Sequence, residues 1–186
     1  MSLNKSLIRS LPLLAMFLMP QLALALASDR NKPIEVESDS ADIDNKKGVS
    51  VYRGDVVMTQ GTTRITGDVI TVYSKKSEVT KVIAEGKKNR AYYEEEQDKE
   101  QGTLQAWGYT INYDMPNDSI ELIKNAELAQ KGDTFKGENI HYNLALQTVS
   151  AKGKPQEGRQ GRVKMVIQPK SEKDSVKEPK PKGEKQ

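Results

Sequence analysis

Few residues of this chain are of a type that could perform chemistry. His141 is the single histidine and there is no cysteine, so triads that depend on either residue lack an essential member. His141 falls between Ile140 and Tyr142 on a predicted strand, with its side chain directed outward. No second histidine or suitably spaced carboxylate accompanies it as a metal ligand. The sequence therefore predicts no catalytic residue, no metal site and no cofactor.

Two charged runs, Glu94-Glu95-Glu96 and Asp98-Lys99-Glu100, contain the carboxylates that stand closest together. We expect a strand to end at Tyr92-Tyr93 and run into a solvated loop here, because acids outside regular structure are usually hydrated. A pair of carboxylates that cleaves a glycosidic bond depends on spacing in three dimensions, so a sugar-cleaving protein stays an alternative. Neither a phosphate-binding loop nor a dinucleotide fingerprint is present.

The first 27 residues have the layout of a secretory signal peptide. Lys5 and Arg9 precede an apolar run over residues 11–24, and a small-x-small cleavage motif ends at Ala27. The apolar run is shorter than the roughly 20 residues that a spanning helix needs. We expect residues 1–27 to be removed on export. A membrane-anchored protein that keeps this segment is the alternative.

The last residues, 169–186, form a predicted disordered tail. They are rich in Lys, Glu and Pro, and Val176 is their one large aliphatic side chain, so they cannot bury enough surface to offset their ordering entropy. The formal net charge of +3 comes from Lys5 and Arg9 in the leader and from the tail. The body, residues 28–168, is close to neutral, which does not favour nucleic acid as a partner.

The body has the pattern of an all-β domain. Short runs rich in Val, Ile, Thr and Tyr alternate with Gly, Asn and Asp, and no stretch has a helical apolar period. A shift of 70 residues places Asp55–Gln60 on Asn125–Gln130 and Ile65–Asp68 on Phe135–Glu138. We interpret this as two similar halves built from one β unit.

Comparison of the two halves predicts which side chains face the interior. Val57 aligns with Glu127, so that parity points outward. The inward pairs are then Val56/Ala126, Met58/Leu128, Tyr52/Leu122, Ile65/Phe135, Ala41/Ile111, Ile43/Tyr113, Ile70/Ile140 and Val72/Tyr142. The alternation slips by one residue after Gly67 and Gly137, where we expect a bulge or a strand corner. Two sheets that splay slightly over this interior would leave an apolar slot for a long, greasy ligand.

Several segments, taken in order, resemble one known family. They are Lys32–Asp39, Tyr52–Gly61, Ile65–Asp68, Gly137–Tyr142 and Val163–Pro169. In this order they are similar to the periplasmic lipopolysaccharide transport protein A family, also described as organic-solvent-tolerance A-like. The resemblance covers residues 30–169.

The resemblance implies a V-shaped antiparallel β-jellyroll in the periplasm that binds lipopolysaccharide in an apolar groove and takes no part in catalysis. Positions similar to the groove contacts of the family are Ile34, Val36, Tyr92, Tyr113 and Met115. To these the inward parity adds Tyr52, Met58, Ile65, Leu122 and Phe135 as candidate lipid-binding residues.

The resemblance also implies a bridge between inner and outer membranes, made by molecules that stack head to tail. The partners would be the inner-membrane export subunit and the outer-membrane translocon, each of similar fold. The candidate interface lies on the first strand, with Ile34 and Val36, and on the last, with Val163, Met165 and Ile167. An exported carbohydrate-binding or carbohydrate-cleaving jellyroll stays a second alternative.

Overall fold

The computed structural model describes residues 31–97, 101–156 and 159–169. Regular structure in these ranges consists of thirteen β-strands, and all the hydrogen-bonded strand pairs are antiparallel. This confirms the all-β fold that the sequence predicts. No helix within them is long and apolar enough to cross a membrane. The predicted signal peptide, Asp98-Lys99-Glu100 and the predicted tail beyond Pro169 lie outside the described residues.

In chain order the strands are β1 (Ile34–Glu37), β2 (Ser40–Asp44), β3 (Val49–Gln60), β4 (Thr63–Lys75), β5 (Glu78–Glu85), β6 (Ala91–Glu96), β7 (Thr103–Gly108), β8 (Thr110–Asp114), β9 (Ser119–Gln130), β10 (Asp133–Asn143), β11 (Thr148–Gln156), β12 (Arg159–Gly161) and β13 (Lys164–Val166). Neighbours along the main hydrogen-bonded path are β1-β3-β4-β5-β8-β9-β10-β11-β12. Strands β2, β6, β7 and β13 pair beside this path.

The predicted repetition is confirmed by the strand boundaries and by the backbone. Moved by 70 residues, β2 and β3 coincide with β8 and β9 at both ends. Residues with positive φ, a backbone conformation that is unfavourable for residues other than glycine, recur at the same spacing of 70 residues. These equivalent positions are Gly48/Asp118, Gly54/Lys124, Asp55/Asn125, Gly61/Lys131 and Ser77/Gln147. The two halves therefore share most of their turns and the irregularity in their long strands.

A bulge in each half bends the long strands. The register of β3 with β4 shifts between Arg53 and Val56, opposite Gly67, and that of β10 with β9 shifts between Gly137 and Asn139. This confirms the predicted slip at the two glycines. Because a bulge bends its strand and strengthens its twist, each long hairpin contributes to two differently oriented parts of one sheet.

The bulges divide the sheet into two legs of a V. Leg one contains β1, β6, β7 and β13 with the parts of β3, β4, β9 and β10 nearest the β3–β4 and β9–β10 turns. Leg two contains β2, β5, β8 and β11 with the other parts of the same four long strands. The halves are joined by the pair β6–β7 on leg one and the pair β5–β8 on leg two.

The core lies between the inner faces of the two legs. The rings of Tyr93 on leg one and Tyr113 on leg two meet edge to face, with centroids 5.5 Å apart. Tyr93, Ile70 and Leu122 are completely buried. Each such side chain contributes about 1.5–3 kcal/mol by leaving water, so burial between the legs holds a chain without cysteine together.

Ala41 and Ile43 have the predicted inward direction, but both are exposed. Both lie on the inward side of β2, where Ala41 is paired with Tyr52 and Ile43 with Ser50. However, of the thirteen described strands only β3 pairs with β2, and Ile43 is 60% exposed. The equivalent residues Ile111 and Tyr113 are buried because β8 has a neighbour on each side.

Candidate functional site

Cross-strand pairing arranges the inner face of leg one in rows that run along the molecule. Side chains of paired residues lie side by side on one face of a sheet. The middle row, which we name for its position between rim and bend, is apolar apart from one tyrosine hydroxyl. Its members are Val36, Met58, Ile65, Tyr93, Ala106, Leu128, Phe135 and Met165.

Leg two faces leg one with two rows of the same character. The row nearer the rim contains Ile43, Ser50, Val72, Val82, Tyr113, Ile120, Tyr142 and Val149. The row nearer the bend contains Ala41, Tyr52, Ile70, Ala84, Ile111, Leu122, Ile140 and Ala151. Both legs thus present apolar surface to the space between them.

Small residues lie where the legs converge. Gly67, Gly108 and Gly137 alternate there with the buried Ala91 and Ala126. A Cβ on Gly67 would come within 2.9 Å of the Glu85 carbonyl oxygen, and one on Gly137 within 2.7 Å of the Lys152 carbonyl oxygen. Larger side chains at this line would push the backbones apart, so the bend depends on these residue types.

The inner face of leg one ends in a polar row at the opening of the V, which we call the rim row. It contains Ile34, Gln60, Thr63, Glu95, Leu104, Gln130 and Asp133. The Glu95 carboxylate accepts hydrogen bonds from the Tyr93 hydroxyl at 3.0 Å, the Gln97 amide at 3.0 Å and the Thr63 hydroxyl at 3.3 Å. An acid therefore faces the interior one step above the apolar middle row.

Two hydrogen-bonded tyrosines link the rim row to the interior. The Tyr142 hydroxyl of leg two donates to the Gln130 side-chain oxygen of leg one at 3.4 Å. Burial and the charge of Glu95 raise the pKa of Tyr142. Burial, followed by the Glu95 charge, holds the pKa of Tyr93 well above its usual range. Both hydroxyls are thus kept neutral beside a single carboxylate.

A cavity of about 640 Å³ opens between the rims of the two legs at the N-terminal end. Ile34 and Gln60 line it from leg one, and Val79 and Met115 line it from leg two. Two of the predicted lipid-binding residues, Ile34 and Met115, therefore lie at one opening although 81 positions separate them in the sequence.

Most of the other predicted lipid-binding residues also lie between the legs. Met58, Ile65 and Tyr113 are buried there. Val36, Tyr52 and Phe135 are half-buried against them, and Leu122 is fully buried. The structure brings these side chains together on facing surfaces, and their contact with lipid stays a prediction.

Tyr92 is the exception, and its expected place inside the groove is wrong. Strand alternation puts Tyr93 inside and Tyr92 on the outer face of β6. There Tyr92 packs against Trp107 at 5.2 Å, donates to Glu94 at 2.7 Å and accepts from Gln105 at 2.9 Å. Burial, with the Glu94 hydrogen bond second, raises the pKa of Tyr92.

The run Glu94-Glu95-Glu96 is part of β6 and not of a solvated loop, which corrects a second expectation. It pairs with Thr103, Leu104 and Gln105 of β7 along its whole length. Sequence reasoning missed Glu95 because three acids in succession hide the alternation that Tyr93 begins. Continuing the period of two from Tyr93 would have placed Glu95 inside.

His141 is exposed between the buried Ile140 and Tyr142, which confirms its predicted outward direction. Among residues 31–97, 101–156 and 159–169, no three acids or histidines gather closely enough to hold a metal ion. Among the candidate interface residues, Ile34 and Val36 lie on β1 and Met165 lies on β13, while Val163 and Ile167 lie just outside β13. In the described part of the chain β1 pairs only with β3, and β13 pairs only with β10.

Comparison with known proteins places the chain in a family. Residues 35–148 match the family described as LptA/(LptD N-terminal domain) LPS transport protein. The lipopolysaccharide export system protein LptH of Pseudomonas aeruginosa is 43% identical over 153 residues, which are 80% of this chain and 86% of that protein. The lipopolysaccharide export system protein LptA of Escherichia coli is 30% identical over 135 residues, 71% and 72% of the two chains.

A solved structure has the same architecture. It is the crystal structure of LptH, described as the LptA homologous periplasmic component of the conserved lipopolysaccharide transport device from Pseudomonas aeruginosa. Its TM-score is 0.67 at 41% sequence identity, and the match covers 76% of this chain and 99% of that one. By sequence and by fold, this chain belongs to the LptA/(LptD N-terminal domain) LPS transport protein family.

Proposed function

We propose that this protein is a periplasmic carrier that holds the acyl chains of lipopolysaccharide, its lipid A part, between the two legs and passes the lipid toward the outer membrane without catalysis. The layered lining of the V carries the proposal. Small residues lie at the bend, apolar rows cover both legs above it, and polar side chains follow at the rim. An amphipathic lipid has the same order of chemistry along its length.

Energetics favour this placement of the lipid. Each methylene that leaves water contributes roughly 0.8 kcal/mol, so several acyl chains bind strongly to apolar rows. Sugars and phosphates stay outside the V, because an unpaired charge in an apolar interior is costly. The legs touch through Tyr93 and Tyr113, so a bound lipid has to part these rings and replace their contact.

Ile34→Asp tests the site. Ile34 is half-buried at the opening, so a carboxylate there would meet the acyl chains but stay partly hydrated. We expect purified lipopolysaccharide to bind about tenfold more weakly or worse, the cost of a charge of roughly 1.4 kcal/mol or more in an apolar contact. Melting temperature and β circular dichroism should change little. Thr59→Asp, on the outer side of the neighbouring β3, is the matched control.

Equal lipopolysaccharide affinity in the wild type and the Ile34→Asp variant would remove the opening from the binding site. No binding of lipopolysaccharide by the wild type itself, at micromolar protein, would contradict the carrier proposal as a whole.

Our proposal includes partners of the same fold, arranged head to tail. The internal joint β6–β7 supplies the geometry. Met165 of β13 pairs with Phe135, and Tyr93 of β6 pairs with Ile65. Because Phe135 is the counterpart of Ile65 in the second half, β13 corresponds to β6. The other edge of β6 is occupied by β7, the counterpart of β1, whereas no described strand pairs with the other edge of β13. Strand β1 of a second molecule fits that edge.

The same correspondence predicts the register of the contact. In the internal joint, Tyr93 pairs with Ala106, and Tyr92 pairs with Trp107. The equivalent pairs between two molecules would be Met165 with Val36, and Lys164 with Glu37. The second pair joins opposite charges on the outer face. On leg two, the pair of Val82 with Tyr113 becomes Val149 with Ile43, which would cover the exposed Ile43.

Such contacts do not close on themselves and so build an open stack. Stacking would continue the apolar rows from one molecule into the next. The inner-membrane export subunit and the outer-membrane translocon, which the proposal takes to have similar folds, would pair with the two free ends.

A further inference from the structure

The rim row places polar side chains directly beside an apolar interior. The apolar middle row next to it already supplies the contact between the legs. Gln60 and Gln130 occupy equivalent positions 70 residues apart, and both face inward. A polar group facing an apolar interior is unfavourable unless it is hydrogen-bonded. Both halves nevertheless place a glutamine at the boundary between apolar lining and opening.

One end of the Gln130 amide has no partner. Its oxygen accepts from Tyr142 at 3.4 Å, but its nitrogen is buried and makes no hydrogen bond within the described part of the chain. Leaving such a donor unsatisfied costs about as much as a lost hydrogen bond. The counterpart in the first half is satisfied, because the Gln60 amide nitrogen donates to the Lys32 carbonyl oxygen at 3.0 Å. Gln130 therefore presents a free donor to the interior.

The rim row also holds an acceptor. Glu95 lies two strands from Gln130 in this row, with Leu104 between them, and its charge raises the pKa of Tyr142, whose hydroxyl donates to Gln130. A carboxylate has about four lone-pair sites and can accept from a ligand as well as from protein donors. The rim row thus combines a donor and an acceptor about two residues, or roughly 7 Å, above the apolar middle row.

We propose that the rim row at Gln130 and Glu95 binds the hydrogen-bonding groups at the head of an acyl chain, so that the groove prefers lipids whose chains are amide-linked over chains joined through an ether. A secondary amide supplies the carbonyl that Gln130 lacks and an N–H for Glu95. This inference rests on the proposed function, since it requires acyl chains between the legs. A hydroxyl beside the chain head carries the same donor and acceptor.

Two small probes with equal chains test the preference: N-dodecanoylglucosamine, which has the amide, and dodecyl glucoside, which has an ether oxygen instead. Their dissociation constants are measured with the wild type, Gln130→Leu, Glu95→Gln and the control Gln105→Leu, in which glutamine is removed from the outer face of β7. We expect the wild type and the control to bind the amide probe about tenfold more tightly than the ether probe. Gln130→Leu should reduce that ratio to about three, because the bond to Glu95 is kept, and should leave ether binding unchanged.

Glu95→Gln keeps the shape of the side chain and should lose part of the ratio, which guards against a folding defect in Gln130→Leu. A third pair, 3-hydroxydodecanoate and dodecanoate, shows whether a hydroxyl is recognised in the same way. A ratio near one in the wild type, or an unchanged ratio in Gln130→Leu, would overturn the inference. Lipopolysaccharide binding is measured in the same samples, because its persistence in either case leaves the carrier proposal standing while this inference fails.

Discussion

Ionisation of Tyr93 makes the folding stability of this protein depend on pH in the alkaline range. The folded-state pKa of Tyr93 lies above the value near 10 of an unfolded tyrosine, because burial and the Glu95 charge oppose ionisation. The unfolded chain therefore releases this proton first, and folding stability falls as pH rises above about 10. Tyr93→Phe should lose about 1 kcal/mol at pH 7, the value of its hydrogen bond to Glu95, but decline less steeply above pH 10. Urea unfolding between pH 7 and 11 measures both slopes; parallel curves would contradict the assignment.

At the scale of residues, parity between the two halves predicts most of the interior. Val57 against Glu127 defines the outward side, and the inward partners Val56, Met58 and Leu128 are buried. Tyr92 corresponds in space to the charged Lys164, and Tyr93 to the apolar Met165, which agrees with their outward and inward directions. The links that precede β6 and β13 differ in length, so this correspondence cannot be read from the sequence.

At the scale of elements, the two bulges adopt a similar backbone conformation, with positive φ, using different residues. Gly54 has φ of 87°, and a Cβ there would collide with the Asp39 carboxylate. Its counterpart Lys124 adopts φ of 65° with a full side chain, which lies over the Tyr109 ring at 5.2 Å. We expect Gly54→Ala to destabilise the fold by about 1–3 kcal/mol through strain and this collision.

Lys124→Ala is the matched control at the second bulge, since it keeps a Cβ in a backbone already adapted to one. It should cost no more than about 1 kcal/mol, the value of an exposed cation–π contact. Chemical unfolding of both variants provides the comparison. Equal effects would show that the two bulges tolerate side chains equally.

The sequence predicts these elements unevenly. Gly67 and Gly137 mark the bulges because the inward alternation slips at each of them. Strand β12 and the link that precedes β13 have no counterpart of equal length in the first half, where only five residues separate β5 from β6. A register that depends on pairing with β10 across such a link is a tertiary property, which no local period contains.

At the scale of the whole molecule, unsatisfied strand edges and exposed apolar side chains occur together at the two ends. Among the strands that the structure describes, β1 and β2 each pair only with β3 and so have one edge without a partner strand, as does β13 at the other end. Ile43 is 60% exposed and Met165 is 53% exposed. Exposed edges attract further strands unless they are blocked. Within the molecule, the strands equivalent to these end strands pair with each other, as β6 with β7 and β5 with β8. Each end of the molecule therefore presents one side of an interface that already joins the two halves.

Ile43→Asp separates stacking from folding. In a single molecule Ile43 is largely hydrated, so the variant should melt within a few degrees of the wild type. In a stack Ile43 would lie against Val149 of a neighbour, and loss of that burial, worth about 2 kcal/mol, should weaken association at least tenfold.

Leu146→Asp is the control, because Leu146 is 72% exposed in the β10–β11 turn and outside both proposed strand pairs. Light scattering of residues 28–186 over a concentration series should show growing mass for the wild type and the control but a near-constant mass for Ile43→Asp. A wild type that stays monomeric at every concentration would exclude stacking, and growth of Ile43→Asp equal to that of the control would exclude the contact between β2 and β11.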